Sequence, residues 1–160
     1  MELREIMDDI AFLTALGAGL VAGIFFAFSS FIMKALGRLP SDQGIAAMQS
    51  VNVNVLNPWF FTTFFGTALV TAVLAVFGYL HWGMPGAGNL LAGGLLYLIG
   101  CIFVTIAFNV PLNNALAKVD PDSADGAEHW ERYISRWTTW NHVRTFMSLA
   151  SAALMIITLW

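Results

Sequence analysis

Three long stretches of the chain contain no Asp, Glu, Lys or Arg, and this feature constrains the fold more than any other. They cover residues 10–33, 58–82 and 89–117. Each is longer than the roughly 20 apolar residues that a helix needs to cross a hydrocarbon core of about 30 Å. Only 11% of all residues are charged, whereas soluble domains have about 25%. The sequence therefore predicts an all-α integral membrane protein.

A fourth span is predicted at the C-terminal end, where the uncharged run is shorter. Residues 145–160 alone fall short of the bilayer thickness at about 1.5 Å per residue, so this helix has to begin near Trp137. We predict one domain over residues 1–160, a four-transmembrane-helix bundle with spans at about 10–34, 58–82, 89–113 and 137–160. Residues 41–56 follow Pro40 and carry Ile45 and Met48 at helical spacing, which indicates a short interfacial helix between spans 1 and 2.

The positions of Lys and Arg predict the orientation of these spans. Lys34 and Arg38 follow span 1, and four further basic residues lie between span 3 and the uncharged part of span 4, whereas residues 79–88 contain none. By the positive-inside rule, the two longer loops face the cytoplasm and both termini lie outside. We expect a multi-pass protein of the cell's inner, or cytoplasmic, membrane.

The composition also bounds the partners. The lipid bilayer is an expected partner. Nucleic acid is not expected, because a net charge of -3 leaves no basic surface to bind it. Gly19 and Gly23 lie four residues apart on span 1, and small residues at this spacing let helices approach closely. We expect them to pack within the bundle; a homo-oligomer formed through the same pair is the alternative.

Polar residues of the predicted spans gather at one membrane face, because neighbouring spans run in opposite directions. The outer half of the bundle is almost entirely aliphatic, aromatic or small. A site, if the protein has one, is therefore predicted as a pocket at the cytoplasmic mouth. The residues that fall there are Ser29, Asn52, Asn57, Asn109, Asn113, Trp137, Asn141 and Arg144.

The start of span 4 combines rings, an amide and a guanidinium on one helix face. At about 100° per residue, six side chains fall within about 40° of one direction if the helix is continuous. They are Trp130, Tyr133, Trp137, Asn141, Arg144 and Ser148. His142 points away and joins this face only if the helix is broken. The alternative interpretation is structural, with the amides as interhelical hydrogen bonds and the tryptophans as an aromatic belt.

No metal or cofactor site is predicted. His129 and His142 face different directions, no carboxylate lies within a span, and Cys101 is the only cysteine. The sequence also contains no glycine-rich phosphate loop and no haem attachment motif.

Four segments, in order along the chain, carry a family resemblance. They are Gly-x-Phe-Phe-x-Phe-Ser at 23–29, Ala-Met-Gln-x-x-Asn at 47–52 followed by Asn-Pro-x-Phe at 57–60, Thr-x-x-x-Asn-Val-Pro-Leu-Asn at 105–113, and Trp-x-x-Trp-Asn-His-x-Arg at 137–144. This pattern resembles the DUF1772, or anthrone oxygenase-like, family of small membrane proteins. The resemblance implies four membrane helices and, in the fungal polyketide branch, an oxygenase that converts an anthrone to an anthraquinone without an evident metal or flavin.

We therefore hypothesise a membrane-embedded oxidoreductase that oxidises an anthrone-like or phenolic apolar molecule, with O₂ as co-substrate and no cofactor. We expect catalytic roles for Asn109, Asn141, Arg144 and, as a base, His142. Substrate-binding roles are expected for Ser29, Asn52, Asn57, Asn113, Tyr133, Trp137 and Trp140. The alternative is a non-enzymatic membrane module that binds a lipid- or quinone-like molecule or a partner membrane subunit. A channel is disfavoured because the first three spans contain no charged residue.

Overall fold

The computed structural model describes residues 3–160, which form helices and turns and contain no strand, so the all-α fold class is confirmed. Five helices follow one another. Helix α1 consists of Leu3–Ala27, a π-helical turn at Phe28–Ile32, and Met33–Leu36. Helix α2 is Ser41–Asn54, α3 is Pro58–Leu80 and α5 is Gly126–Ile157. Helix α4 consists of Ala87–Tyr97, two π-helical segments at Leu98–Phe103 and Thr105–Asn109, and Val110–Leu116.

Three of these helices are long and apolar enough to cross a membrane, which supports a membrane protein. They are Arg4–Leu36 within α1, Pro58–Leu80, and Ala87–Leu116. Their outward faces expose large apolar side chains such as Leu13 and Leu69, as expected for surfaces that contact lipid. Helix α5 differs because it begins before the predicted span and carries charged residues in its first half. A fourth span and an interfacial position for α2 remain predictions.

The long helices pack side by side and form a layered core. Helix α5 lies against both α1 and α4, α3 lies against α1 and α4, and α2 packs across the ends of α4 and α5. One cluster around Leu74 and Met155 fills the end near the chain termini, and a middle cluster surrounds Tyr97. A third cluster, which includes Met48 and Trp130, lies at the opposite end, beneath α2.

Close helix contacts are made at glycines other than Gly19 and Gly23. A Cβ atom built at Gly94 would lie 2.5 Å from the carbonyl oxygen of Thr71, so α3 and α4 can pack this closely only with glycine there. A Cβ at Gly19 or Gly23 would meet no atom within 4 Å. The expectation that this pair packs within the bundle was therefore wrong. The buried face of α1 lies to one side of them and includes Ala18.

Candidate functional site

A cavity of about 170 Å³ lies at the end of the helices where α2 packs, between α1, α3, α4 and α5. Seven aromatic rings contribute to its walls, and they are those of Phe25, Phe28, Phe60, Phe61, Phe64, Phe65 and Trp137. The polar side chains that line it are fewer, and they are Asn52, Thr105, Asn113 and Arg144. The cavity is thus an aromatic chamber with a small polar surface.

Arg144 is the only charged side chain among the buried residues that the structure describes, with 4% of its surface exposed. Its Nη2 donates to Asn141 Oδ1 at 2.7 Å, and its Nη1 donates to Thr105 Oγ1 at 3.2 Å. The guanidinium carbon lies 4.1 Å from the ring centre of Phe25 and 5.1 Å from that of Trp137. These amide, hydroxyl and ring-face contacts partly offset the desolvation of the cation.

No carboxylate pairs with Arg144 in the described part of the chain, where both ion pairs involve other arginines. Its Nε atom is also buried without a hydrogen-bond acceptor. A buried charge that lacks a counter-ion is costly unless a partner is supplied. The cavity therefore contains a cation whose hydrogen-bonding capacity is not used up by the protein.

Asn141 positions the guanidinium of Arg144 and connects it to α1. Its Nδ2 donates to the carbonyl oxygen of Phe25 at 2.7 Å and to Ser29 Oγ at 2.8 Å. A carbonyl can only accept and a guanidinium can only donate, so the amide has one orientation, with its oxygen toward Arg144. Ser29 lies in the π-helical turn of α1 and also pairs with Thr145 at 3.2 Å. These contacts join α1 to α5 and make Asn141 and Ser29 positioning residues for the guanidinium.

Asn113 presents a hydrogen-bond donor at the cavity. Its Oδ1 accepts from the Tyr133 hydroxyl at 2.9 Å and from Trp137 Nε1 at 2.8 Å. An indole N–H only donates, so the oxygen of Asn113 has to face it. Nδ2 is left with no acceptor in the part of the chain that the structure describes. Burial raises the pKa of the Tyr133 phenol, and a hydrogen bond with Asn52 opposes this rise, so Tyr133 stays a donor at neutral pH.

Ten of the eighteen residues that line the cavity lie in the part of the chain for which there is a family match. The model of the family described as anthrone oxygenase matches residues 59–154, which is more than half of the sequence. The chain belongs to the anthrone oxygenase family. The match includes α3 and α4 and most of α5, and the suspected resemblance is confirmed. No curated protein and no solved structure matched the chain.

Asn109 lies behind the cavity wall of this anthrone oxygenase family member. It is 1% exposed, and its Nδ2 donates to the carbonyl oxygen of Trp137 at 3.2 Å, which joins α4 to α5. Its Oδ1 is buried and has no partner. Asn109 therefore bonds to α5 one helical turn before Asn141, and it does not line the cavity, whereas Arg144 does.

The structure does not bring Asn57, Trp140 or His142 to the cavity. Asn57 caps α3, where its Oδ1 accepts from the backbone N–H of Phe60 at 3.0 Å. Trp140 stacks on Phe108, with ring centres 3.6 Å apart. His142 is exposed because α5 is unbroken and turns it away from Arg144. This geometry gives no support to a base role for His142 or to substrate contacts by the other two.

Thr105 and the phenylalanines of the aromatic wall received no site role from the sequence, although Thr105 stands in the family motif. Thr105 lies one helical turn before Asn109, and this spacing would have been the signal for it. Phe28 and Thr105 are the first residues of two π-helical segments, in which Met33 N–H bonds to Phe28 O and Val110 N–H bonds to Thr105 O. Such segments are frequent at functional sites, but no sequence pattern here marks them.

Proposed function

We propose that this anthrone oxygenase family member is a membrane-embedded oxygenase that uses O₂, without a cofactor, to oxidise an anthrone-like or phenolic apolar molecule. The observation that carries the proposal is the cavity with seven aromatic rings and one buried cation. Flat rings pack well against aromatic side chains, and hydrogen-bond donors in a poorly hydrated site stabilise negative charge that develops on a reacting oxygen.

The proposed reaction balances without another reductant. An anthrone has a carbonyl opposite a CH₂ group between two rings. The CH₂ carbon loses a proton and its electrons add to O₂, which forms a C–O bond; the O–O bond then breaks. One oxygen atom stays as the new carbonyl, and the other leaves as water with the two hydrogens of the CH₂ group. Arg144 and the Nδ2 group of Asn113 would hold the carbonyl oxygen that takes up charge when the proton leaves.

The proposal includes a membrane arrangement. Helix α5 is the fourth span from about residue 137 onward, α2 lies at the membrane surface, and the cavity is at the cytoplasmic mouth of the bundle. The protein resides in the inner membrane with both termini outside. An apolar substrate and O₂ both partition into lipid, so a cavity at this depth favours their encounter.

Oxygen uptake tests the proposed activity. Purified protein in neutral detergent is supplied with an anthrone, and O₂ consumption is recorded against empty micelles. We expect uptake above the micelle rate and a loss of about 100- to 1,000-fold in the Arg144→Gln variant, which is the usual effect of removing one preorganised donor. The matched control is Arg136→Gln, the same exchange at an exposed position of α5. Equal rates in the Arg144 variant and the wild type would remove the proposal.

A second function is favoured by the absence of Asp, Glu and His from the cavity lining. A chamber without a general base also suits stoichiometric binding of a lipid- or quinone-like molecule without turnover. Native mass spectrometry of the protein extracted with its lipids discriminates the two functions. A bound small molecule together with no anthrone-dependent O₂ uptake would favour the binding module.

A further inference from the structure

The polar surface of the cavity offers hydrogen-bond donors and almost no acceptor. Arg144 only donates, and its Nε is unpaired. Asn113 has used its oxygen for Tyr133 and Trp137, which leaves the Nδ2 group. The Thr105 hydroxyl accepts from Arg144 and donates to the carbonyl oxygen of Cys101 at 2.8 Å, so its proton is committed.

We propose that this cavity binds a ring-conjugated oxyanion, a phenolate or an enolate, in preference to the neutral acid of the same molecule. The inference rests on the proposed function in that it concerns the same cavity, and it names the charge state in which the ligand is held. An oxyanion supplies the counter-charge that Arg144 lacks and an acceptor for the Nδ2 group of Asn113, which has none within the described chain.

The neutral acid fits this donor-rich surface less well. Its hydroxyl brings another donor, and among the described lining side chains only the Asn52 amide has an oxygen that accepts no hydrogen bond. A buried donor that is left without an acceptor is destabilising. The titratable groups that face Arg144 are Cys101 of α4 and Tyr133 of α5, and both are uncharged when protonated. Neither offers the ligand a competing negative charge at neutral pH.

Preference for the anion also accounts for a cavity without a base. If the protein holds the conjugate base, the proton of an acidic substrate can leave to water while the anion stays beside Arg144. An opposite charge at close range lowers the pKa of an acid by about 1–3 units. The anion should accordingly bind about 10- to 1,000-fold more tightly than the neutral form.

The test uses a nitrophenol as the probe, since its phenol and phenolate forms absorb at different wavelengths. The probe is titrated with pH in neutral detergent, without O₂, in the presence and absence of protein. The expected result is a bound probe whose pKa lies at least one unit below that of the probe in empty micelles. The methyl ether of the same ring cannot ionise, and its binding should not change with pH.

Two variants locate the effect. In Arg144→Gln the bound probe should regain the pKa of the free probe, whereas Arg136→Gln should keep the shift. Asn113→Asp retains the oxygen that accepts from Tyr133 and Trp137 but replaces the Nδ2 donor by an acceptor. It should lose at least tenfold in phenolate affinity with ether binding unchanged, and it tests the inference even if the Arg144 variant does not fold.

The outcomes separate this inference from the proposed function. An unshifted pKa in the wild type overturns the anion preference, and a shift that survives in Arg144→Gln overturns its assignment to Arg144. Wild-type protein that oxidises an anthrone but binds the neutral probe equally well contradicts this inference alone. A shifted probe pKa without anthrone-dependent O₂ uptake supports the inference and removes the oxygenase.

Discussion

Replacement of Asn141 by alanine should destabilise the protein mainly because Arg144 is present. The side chain of Asn141 makes three hydrogen bonds, of which the one from Arg144 Nη2 involves a charge. A charged hydrogen bond contributes about 1.5–3 kcal/mol, and each neutral interhelical one about 0.6 kcal/mol. We expect Asn141→Ala to lower the free energy of unfolding by about 3 kcal/mol in the wild type and about 1 kcal/mol in an Arg144→Leu background.

The assay is equilibrium unfolding in mixed micelles with increasing dodecyl sulfate, followed by the helical circular dichroism signal. The two single variants and the double variant form a thermodynamic cycle with an expected coupling of about 2 kcal/mol. Thr139→Ala, an exposed change on the same helix, serves as the control and should stay within about 0.5 kcal/mol of the wild type. Equal losses from Asn141→Ala in both backgrounds would refute the claim that Asn141 supports a buried cation.

Three further predictions concern packing, the site and topology. Gly94→Ala should lower the melting temperature because the new Cβ would lie 2.5 Å from a backbone oxygen of α3, whereas Gly19→Ala should not lower it; similar losses in both would contradict this assignment of contacts. His142→Ala should retain anthrone-dependent O₂ uptake, and a loss comparable to that of the arginine variant would restore it as a base. The Ser123→Cys variant should react with a membrane-impermeant thiol reagent added on the cytoplasmic side, and a cysteine appended after Trp160 should react with reagent added on the opposite side. Reaction of both cysteines from the same side would exclude α5 as a span.

The sequence predicted the apolar helices well because lipid imposes a strict requirement on them. A backbone in hydrocarbon has to satisfy its own hydrogen bonds, so uncharged runs of sufficient length become helices. The helix face that carries Tyr133 and Arg144 was also predicted. Helix α5 is one unbroken helix, and the six side chains expected on this face are all buried. The start of α5 lies before residue 137 because Trp130 packs within the core beneath α2.

The sequence could not show which apolar faces meet each other. Phe25 is 4% exposed and its neighbour Phe26 is 61% exposed, although the two residues are chemically identical. In lipid, an apolar side chain is equally suited to either surface, so hydrophobicity does not separate core from exterior. For the same reason, the sequence did not identify the aromatic wall of the cavity, and Gly19 was expected to pack within the bundle. Asn57 and Trp140 do not line the cavity, because Asn57 caps α3 and Trp140 stacks on Phe108.

A crystal structure with a bound hydroxyanthraquinone, an analogue of the proposed product, would show whether Arg144 and Asn113 hold a ligand oxygen in the cavity. We expect the three rings between Phe25, Phe64 and Trp137, with a ligand oxygen within hydrogen-bonding distance of Arg144 and of Asn113 Nδ2. Ligand density elsewhere, with aliphatic lipid or nothing next to Arg144, would contradict this interpretation of the cavity.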